Sequence, residues 1–434
     1  MRFIIFLTVF LTVMTGTMHP GTGQVRQIAL SSEGTYAASS VSVTTLSSLI
    51  EEALQNSPMI KEKTYYAEAA LDRIAPAGAW MDPMIGIGIM NLPTNLNLSS
   101  EPMSAKQIML MQNIPINGVT GLRTRIAREE YAIAGAMVED AKLMVVRDVS
   151  VAYFEWFYLE KAIEITQKNQ KILKNITEIA RKKYEVGEGL QKDVLKSQLE
   201  ESKLIDKFIT LQTRRDMMVY EINQLLGRER GAPLGVPAEV EFIPYSVEPE
   251  QIYALAAERH PQFSAFRTTI RRNERSIDIA RKMYYPELNV EIGYGQRNMM
   301  PDVLSAQLTL AIPIWKNRKQ SREVEEMMAM KNASEQALHD YKTMVTMQIQ
   351  SLTAMANEHS QRIKLLTEVI IPQAQQTLEA ALAAYSVDKG DFQMILDDQI
   401  ELLMFEVDYY MLLAEYHKSL SKLDYYTAKS LNAN

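Results

Sequence analysis

The side chains best equipped for chemistry in this sequence are its methionines. There are 26 of them in 434 residues, against no cysteine at all. Six, namely Met81, Met84, Met90, Met103, Met109 and Met111, fall close together near the first third of the chain. A thioether is a soft, uncharged donor suited to Cu(I) and similar cations. It is also a flexible filler of irregular cores, and methionines elsewhere on long helical runs are read that way. Within the cluster, Met90, Met109 and Met111 are the candidates for contact with a soft metal substrate. Without cysteine there are no thiolate metal sites, disulfides or thiol nucleophile. The five histidines, His19, His260, His339, His359 and His417, are scattered. No Gly-rich phosphate loop, His-Glu-x-x-His pair or nucleophile elbow occurs. The expectation is therefore no enzyme and no cofactor, and the net charge of −7 argues against a nucleic-acid partner.

The candidate methionines sit in runs of period two. Ile85, Ile87 and Ile89 alternate with Gly86, Gly88 and Met90, and Ile108, Leu110 and Ile114 alternate with Gln107, Met109 and Asn113. A polar loop from Asn91 to Pro102 joins the runs, so 83–115 reads as a β-hairpin. A second hairpin covers 286–313: Leu288, Val290, Ile292 and Tyr294 oppose Asn289, Glu291, Gly293 and Gly295, and Leu304, Ala306, Leu308 and Leu310 oppose Ser305, Gln307 and Thr309. One face is apolar and the other polar or glycine. That pattern fits a sheet packed on a soluble core, and equally a barrel wall with lipid outside and water inside. Each run is about ten residues, the length with which a tilted strand crosses a bilayer. Trp80, Tyr284, Tyr285 and Trp315, at the helix ends of the strands, suit a membrane interface or junction packing. On the barrel reading Ile87, Val290 and Leu308 face lipid while Gln107, Glu291 and Thr309 face the lumen. Four strands leave two open edges that lipid does not tolerate, so closure requires other subunits.

Helices flank the hairpins. The run 117–184 reads as one helix roughly 100 Å long, with Val145, Val149, Ala152, Trp156, Leu159 and Ile163 recurring in steps of four and three, a coiled-coil seam. Gly187 and Gly189 break it, and a helix over 190–227 follows. The plan then recurs: Ile114-Pro115-Ile116 returns as Ile312-Pro313-Ile314, and Tyr184 to Gln198 matches Tyr385 to Gln399 at a constant offset of 201. The expected organisation is a first repeat, 44–236, comprising a helix that starts after the Thr44-Thr45 pair and runs to about Ile74, the hairpin, the long helix, a tip and a returning helix. A second repeat, 237–434, has its hairpin at 286–313, a long helix at 315–385, a tip, and a helix at 391–430. Ahead of them, residues 1–23 have the shape of a secretory signal peptide and 24–43 read as a flexible lead-in. No apolar run is long enough for a transmembrane helix.

Taken together, the signal peptide, the duplicated unit, the two Ile-Pro-Ile hairpin ends and the tip segment Tyr184, Gly187, Asp193, Val194, Leu195 resemble the outer-membrane efflux channel family typified by TolC. The resemblance covers nearly the whole mature chain. It implies a mainly α fold with β-hairpins: a homotrimer whose β-barrel lies in outer-membrane lipid and continues as a long periplasmic α-helical barrel. It also implies docking to a periplasmic adaptor protein and an inner-membrane pump of the RND type. The adaptor-docking tip would comprise Gly187, Gly189, Leu190, Asp193 and Gly390, in turns running from Gly187 to Asp193 and from Asp388 to Met394. In the family, carboxylates near the second tip form a gate. Counting from the tip tyrosine places Asp397 at one such position and Met394 at the other, with Asp398 and Asp391 near enough to substitute. Many members carry an acylated N-terminal cysteine, which this chain lacks, so no lipid anchor is expected. The segments Asp82-Pro83-Met84, Asn91-Leu92-Pro93 and Glu101-Pro102-Met103 are similar to the heavy-metal branch, which favours copper or silver cations as cargo. Drug efflux and type I protein secretion are the alternatives within the family, and a soluble coiled-coil scaffold is the alternative outside it.

Overall fold

A computed structural model describes residues 43–229, 231–244, 248–387 and 389–428. The expected signal peptide, most of the lead-in, Asp388 and the end of the last expected helix lie outside these residues.

The chain enters through β1 (Val43–Thr44), so Val43 belongs to a strand and not to the lead-in. Thr45 then caps α1 (Leu46–Asn56), its hydroxyl accepting from the Ser48 N–H. The single helix expected from just after Thr44-Thr45 to about Ile74 starts there but is broken. Pro58 disfavours helical backbone at the residue before it, and Ser57 accordingly lies at φ −52°, ψ 122°, between α1 and α2 (Pro58–Asp72). A short α3 (Ile74–Gly78) leads into β2 (Met84–Met90) and β3 (Ala105–Ile114). Next come α4 (Val119–Glu185), 67 residues without interruption, and α5 (Gln191–Leu226).

The linker carries β4 (Val236–Pro237), which pairs in parallel with β1, Val43 opposite Val236. It is followed by α6 (Pro249–Arg259) and α7 (Pro261–Lys282), separated by a second break of the same kind at His260-Pro261. Then come β5 (Glu287–Arg297) and β6 (Val303–Ala311). The second long helix, expected over 315–385, differs from the first. It starts as α8 (Gln320–Leu365), passes through a π turn at Leu366–Ile370 and continues as α9 (Ile371–Ser386). Pro372 explains the interruption: it has no N–H to donate, and its ring crowds the carbonyl four residues back, which a widened turn relieves. The chain ends in α10 (Phe392–Thr427).

The seam read on α4 is the core. Val145, Val149, Ala152, Trp156 and Leu159 are buried with Leu49, Ala53, Ile222 and Leu226 of α1 and α5 and with Leu403 and Val407 of α10. From the same turn of α4, Phe157 points into a second cluster with Phe263, Ile349, Leu413 and Tyr416. Trp156 is fully buried and donates its indole N–H to Glu160. The four longer strands form one antiparallel sheet in the order β2-β3-β5-β6. Among the described residues, no helix is long and apolar enough to cross a membrane.

Candidate conduction path: the sheet faces and the helix tips

Strand register sorts the sheet into two faces. Ile87 pairs with Ile108, Ile108 with Tyr294 and Tyr294 with Leu304. The neighbouring row joins Ile85, Leu110, Ile292 and Ala306, and the next joins Gln112, Val290 and Leu308. This face is almost wholly apolar, and it is bare: Ile87 is 82% exposed and Leu304 78%. Lys106 and Gln296 interrupt it at the loop end, and Gln112 nearer the helix end. A continuous apolar face left uncovered marks a lipid or protein contact.

The opposite face carries Met84, Met111, Glu291 and Gln307 in one row and Gly86, Met109, Gly293 and Ser305 in the next. Gly88, Gln107, Gly295 and Val303 follow, and Met90 lies beyond them against Ala105. Met90, Met109 and Met111 therefore share a face with Gln107, Glu291 and Thr309, as the alternation requires. They do not form one group, because the row of Gly88 and Gln107 lies between Met90 and Met109 and it is Met84 that stands beside Met111. Sequence spacing left Met84 unselected, since its neighbour lies across the hairpin.

At the first tip Gly187 takes φ +80°, a conformation L side chains rarely adopt, and α4 ends in bonds from the Glu188 and Gly189 N–H groups to the Lys183 carbonyl, 2.9 and 3.0 Å. A Cβ on Gly189 would lie 2.9 Å from the Tyr184 nitrogen, and one on Gly390 2.7 Å from the Tyr385 nitrogen, so backbone approach requires glycine at both turns. Leu190, at the N-cap of α5, offers no side-chain cap and is 59% exposed. Asp193 sits in the first turn of that helix, where the helix dipole favours a carboxylate. Lys183 bridges the two tips, its ammonium 4.2 Å from the centre of the Tyr385 ring.

The three gate candidates have different surroundings. Asp391 is the N-cap of α10, accepting from the Gln393 N–H at 3.0 Å, which gives it a structural task. Asp397 is 61% exposed, accepts from the Gln393 side-chain amide at 2.6 and 2.7 Å, and lies 3.9 Å from Lys196. Asp398 is turned inward, with one carboxylate oxygen buried and unpartnered.

Two polar arrangements inside the helical part carried no sequence signal, because each unites distant segments. Asp140, nearly fully buried on α4, accepts from the Gln262 amide at 2.7 Å and the Tyr425 hydroxyl at 2.8 Å. His260, also buried, caps α7 and holds Nε2 3.8 Å from Asp140. Burial pushes the imidazole pKa down, and the Asp140 carboxylate only partly opposes this. Near the α1 end, Arg228 grips both oxygens of Glu52 at 2.5 and 2.6 Å and holds that carboxyl below its usual range. Among the described residues no group of three His, Asp or Glu could hold a metal ion.

Two helix flanks are also uncovered. Leu195, Leu199, Ile205, Ile209, Met217 and Tyr220 of α5 are exposed and fall within about 120° of one another around the helix. Met330, Met344, Met347 and Met355 of α8 are exposed and share a sector of about 100°.

Residues 49–228 match the family model described as outer membrane efflux protein. No curated protein matches the chain in sequence. Several solved structures share its fold. The outer membrane protein VceC of Vibrio cholerae is 17% identical at a TM-score of 0.76, covering 89% of this chain and 97% of that one. CusC, described with its transmembrane channel formation, is 13% identical at a TM-score of 0.74, covering 88% and 91%. The CmeC outer membrane channel of Campylobacter jejuni is 12% identical at a TM-score of 0.75, covering 90% and 87%.

Proposed function

We propose, from the match of residues 49–228 to the outer membrane efflux protein model and the fold shared with solved outer membrane channels, that the chain is the exit duct of a tripartite efflux system for soft metal cations such as copper or silver. Three copies close a twelve-stranded barrel, each giving four strands whose outer edges, β2 and β6, pair with the neighbours'. The bare flanks of α5 and α8 become subunit contacts in the helical barrel below, where apolar stripes on adjacent helices interlock. The second half of the chain repeats the unit of the first. The tips, with exposed Val186, Leu190, Val387 and Met394, receive the periplasmic adaptor, and an RND-type inner-membrane pump supplies the energy. The duct itself performs no catalytic step.

The observation that carries the choice of cargo is the inner face of the sheet, where Met111 stands beside Glu291 with Met84 and Met109 next to it, and the one basic side chain, Arg297, lies at the far end. Thioethers and a carboxylate suit a soft cation. In cells deleted for the channel but retaining its pump and adaptor, restoring the chain should raise tolerance to Ag(I) and Cu(I) salts and leave tolerance to dyes and antibiotics unchanged. The opposite pattern would make this a drug exit duct.

The gate is assigned to Asp397, with Asp398 behind it. Three copies near one axis repel one another and attract cations, so that adaptor binding need supply only a modest differential affinity to open the ring. Asp397→Asn with Asp398→Asn should lower cation selectivity and change resting conductance in planar bilayers, whereas Asp206→Asn, outside the tip, should leave both as they were. Unaltered selectivity in the double variant would place the constriction elsewhere.

A further inference from the structure

We infer that Met84, Met109, Met111 and Glu291 form a discrete binding site for a soft monovalent cation on the inner wall of the barrel, one per subunit. The inference rests on the proposed orientation of the sheet, with its polar face toward the lumen.

The residues come from three strands and converge. Met84 and Met111 are directly paired across the first hairpin, and Met111 is paired in turn with Glu291 across the junction of the two hairpins. Directly opposite residues on one face bring their Cβ atoms to about 5 Å, within reach of two thioether arms. Met109 is two residues from Met111 on the same strand and face. Its terminal methyl lies 3.2 Å, and that of Met111 4.0 Å, from the point where a Cβ on Gly86 would stand. The two S-methyl groups are therefore no farther apart than the sum of those distances, and both lean over a residue with no side chain. On the other flank Met109 passes 3.6 Å from the point a Cβ on Gly293 would occupy. Glycine on both sides leaves a shallow hollow around the sulfurs, which larger residues would fill.

Charge completes the site. Glu291 is half-buried, and no hydrogen bond or ion pair engages it among the described residues. Its neighbours on this face are Met111, Gln307, Met109, Asn113, Ser305 and Thr309, none of them basic. A carboxylate with no protein counter-ion, beside neutral sulfur donors, favours a singly charged soft cation. The interaction is coordination only: the ion exchanges water for thioether sulfur and the carboxylate balances its charge, with no electron transfer. Neutral thioethers hold the ion weakly enough for release, which conduction requires.

The test uses the purified full-length channel in detergent, titrated with silver nitrate alone in chloride-free buffer and followed by calorimetry. The expected result is roughly one Ag(I) bound per chain. Binding should disappear in the M84L/M109L/M111L variant, and Glu291→Gln should weaken it about tenfold or more. Leucine is close to methionine in size, and gel filtration checks that the variant keeps its assembly; if the triple variant does not assemble, Met109→Leu alone should still lower affinity. Met344→Leu with Met347→Leu, on α8, should bind as the parent does. Silver binding unchanged in the M84L/M109L/M111L channel overturns the site. Tolerance assays separate this from the cargo reading: a parent channel that restores silver tolerance but binds no silver sinks the site and leaves the metal duct. A channel that binds silver through these residues yet restores only drug tolerance keeps the site and sinks the cargo.

Discussion

Leu308→Arg should abolish accumulation of assembled channel in the outer membrane, and Leu110→Arg should do the same. Both residues lie on the bare apolar face, near the middle of β6 and β3. A lipid-facing arginine at the bilayer midplane costs a barrel about 2–4 kcal/mol. Three copies per trimer bring that to roughly 6–12 kcal/mol, comparable to the whole stability of a typical domain. Thr309→Arg, one residue along and on the opposite face, places the same charge in water, and the channel should assemble in near-normal amounts. Cell fractionation with electrophoresis of unheated samples reads all three. Normal assembly of Leu308→Arg together with failure of Thr309→Arg would mean that the faces are reversed.

Gly187→Lys combined with Leu190→Glu should eliminate export while leaving the trimer in the membrane. Gly187 holds φ +80°, where a side chain costs about 1–3 kcal/mol, so the turn must reshape. The strain is confined to the end of a helix whose buried residues stop at Ala180, one to two turns before Gly187. Leu190 is exposed and extended, and a carboxylate there removes an apolar contact without disturbing the core. The proposed docking end is thus altered in shape and charge, while barrel assembly depends on residues elsewhere. The measurements are trimer yield and metal tolerance in cells with the complete pump. Full tolerance at normal yield would reduce the turn to a connector.

How much of this was legible in the sequence depended on distance along the chain. The alternation of Ile85, Ile87 and Ile89 with glycine and methionine is local, and so is the seam from Val145 to Leu159; both appear in the structure on the faces the spacing requires. Pairing between strands is not local. Nothing in the spacing says that Met111 meets both Met84 and Glu291, so Met90 was selected and Met84 was not. Pro58, Pro261 and Pro372 stand at the first or second position of the helices they begin, and each interrupts a longer helical run. The Asp140, His260, Gln262 and Tyr425 group was invisible because its members arise from three helices, and only packing unites them. Asp391 was selected for its proximity to the tip, and spacing alone did not show that it also caps α10 by accepting from the Gln393 N–H.

The π turn at Leu366–Ile370 sets the rotational phase of the second tip. Counted from Gln320 to Ser386, the segments of 46, 5 and 16 residues contain 67 residues, as α4 does. A π turn uses one residue more than an α turn, so everything after it is rotated by about 100° and set back by about 1.5 Å. Tyr184 and Tyr385 stand at the same place before their turns and face different ways. Tyr184 is 46% exposed, whereas Tyr385 packs against Phe392 with Lys183 over its ring. In a three-subunit ring the six tips would therefore alternate between two kinds, and an adaptor assembling around them would meet three-fold rather than six-fold symmetry.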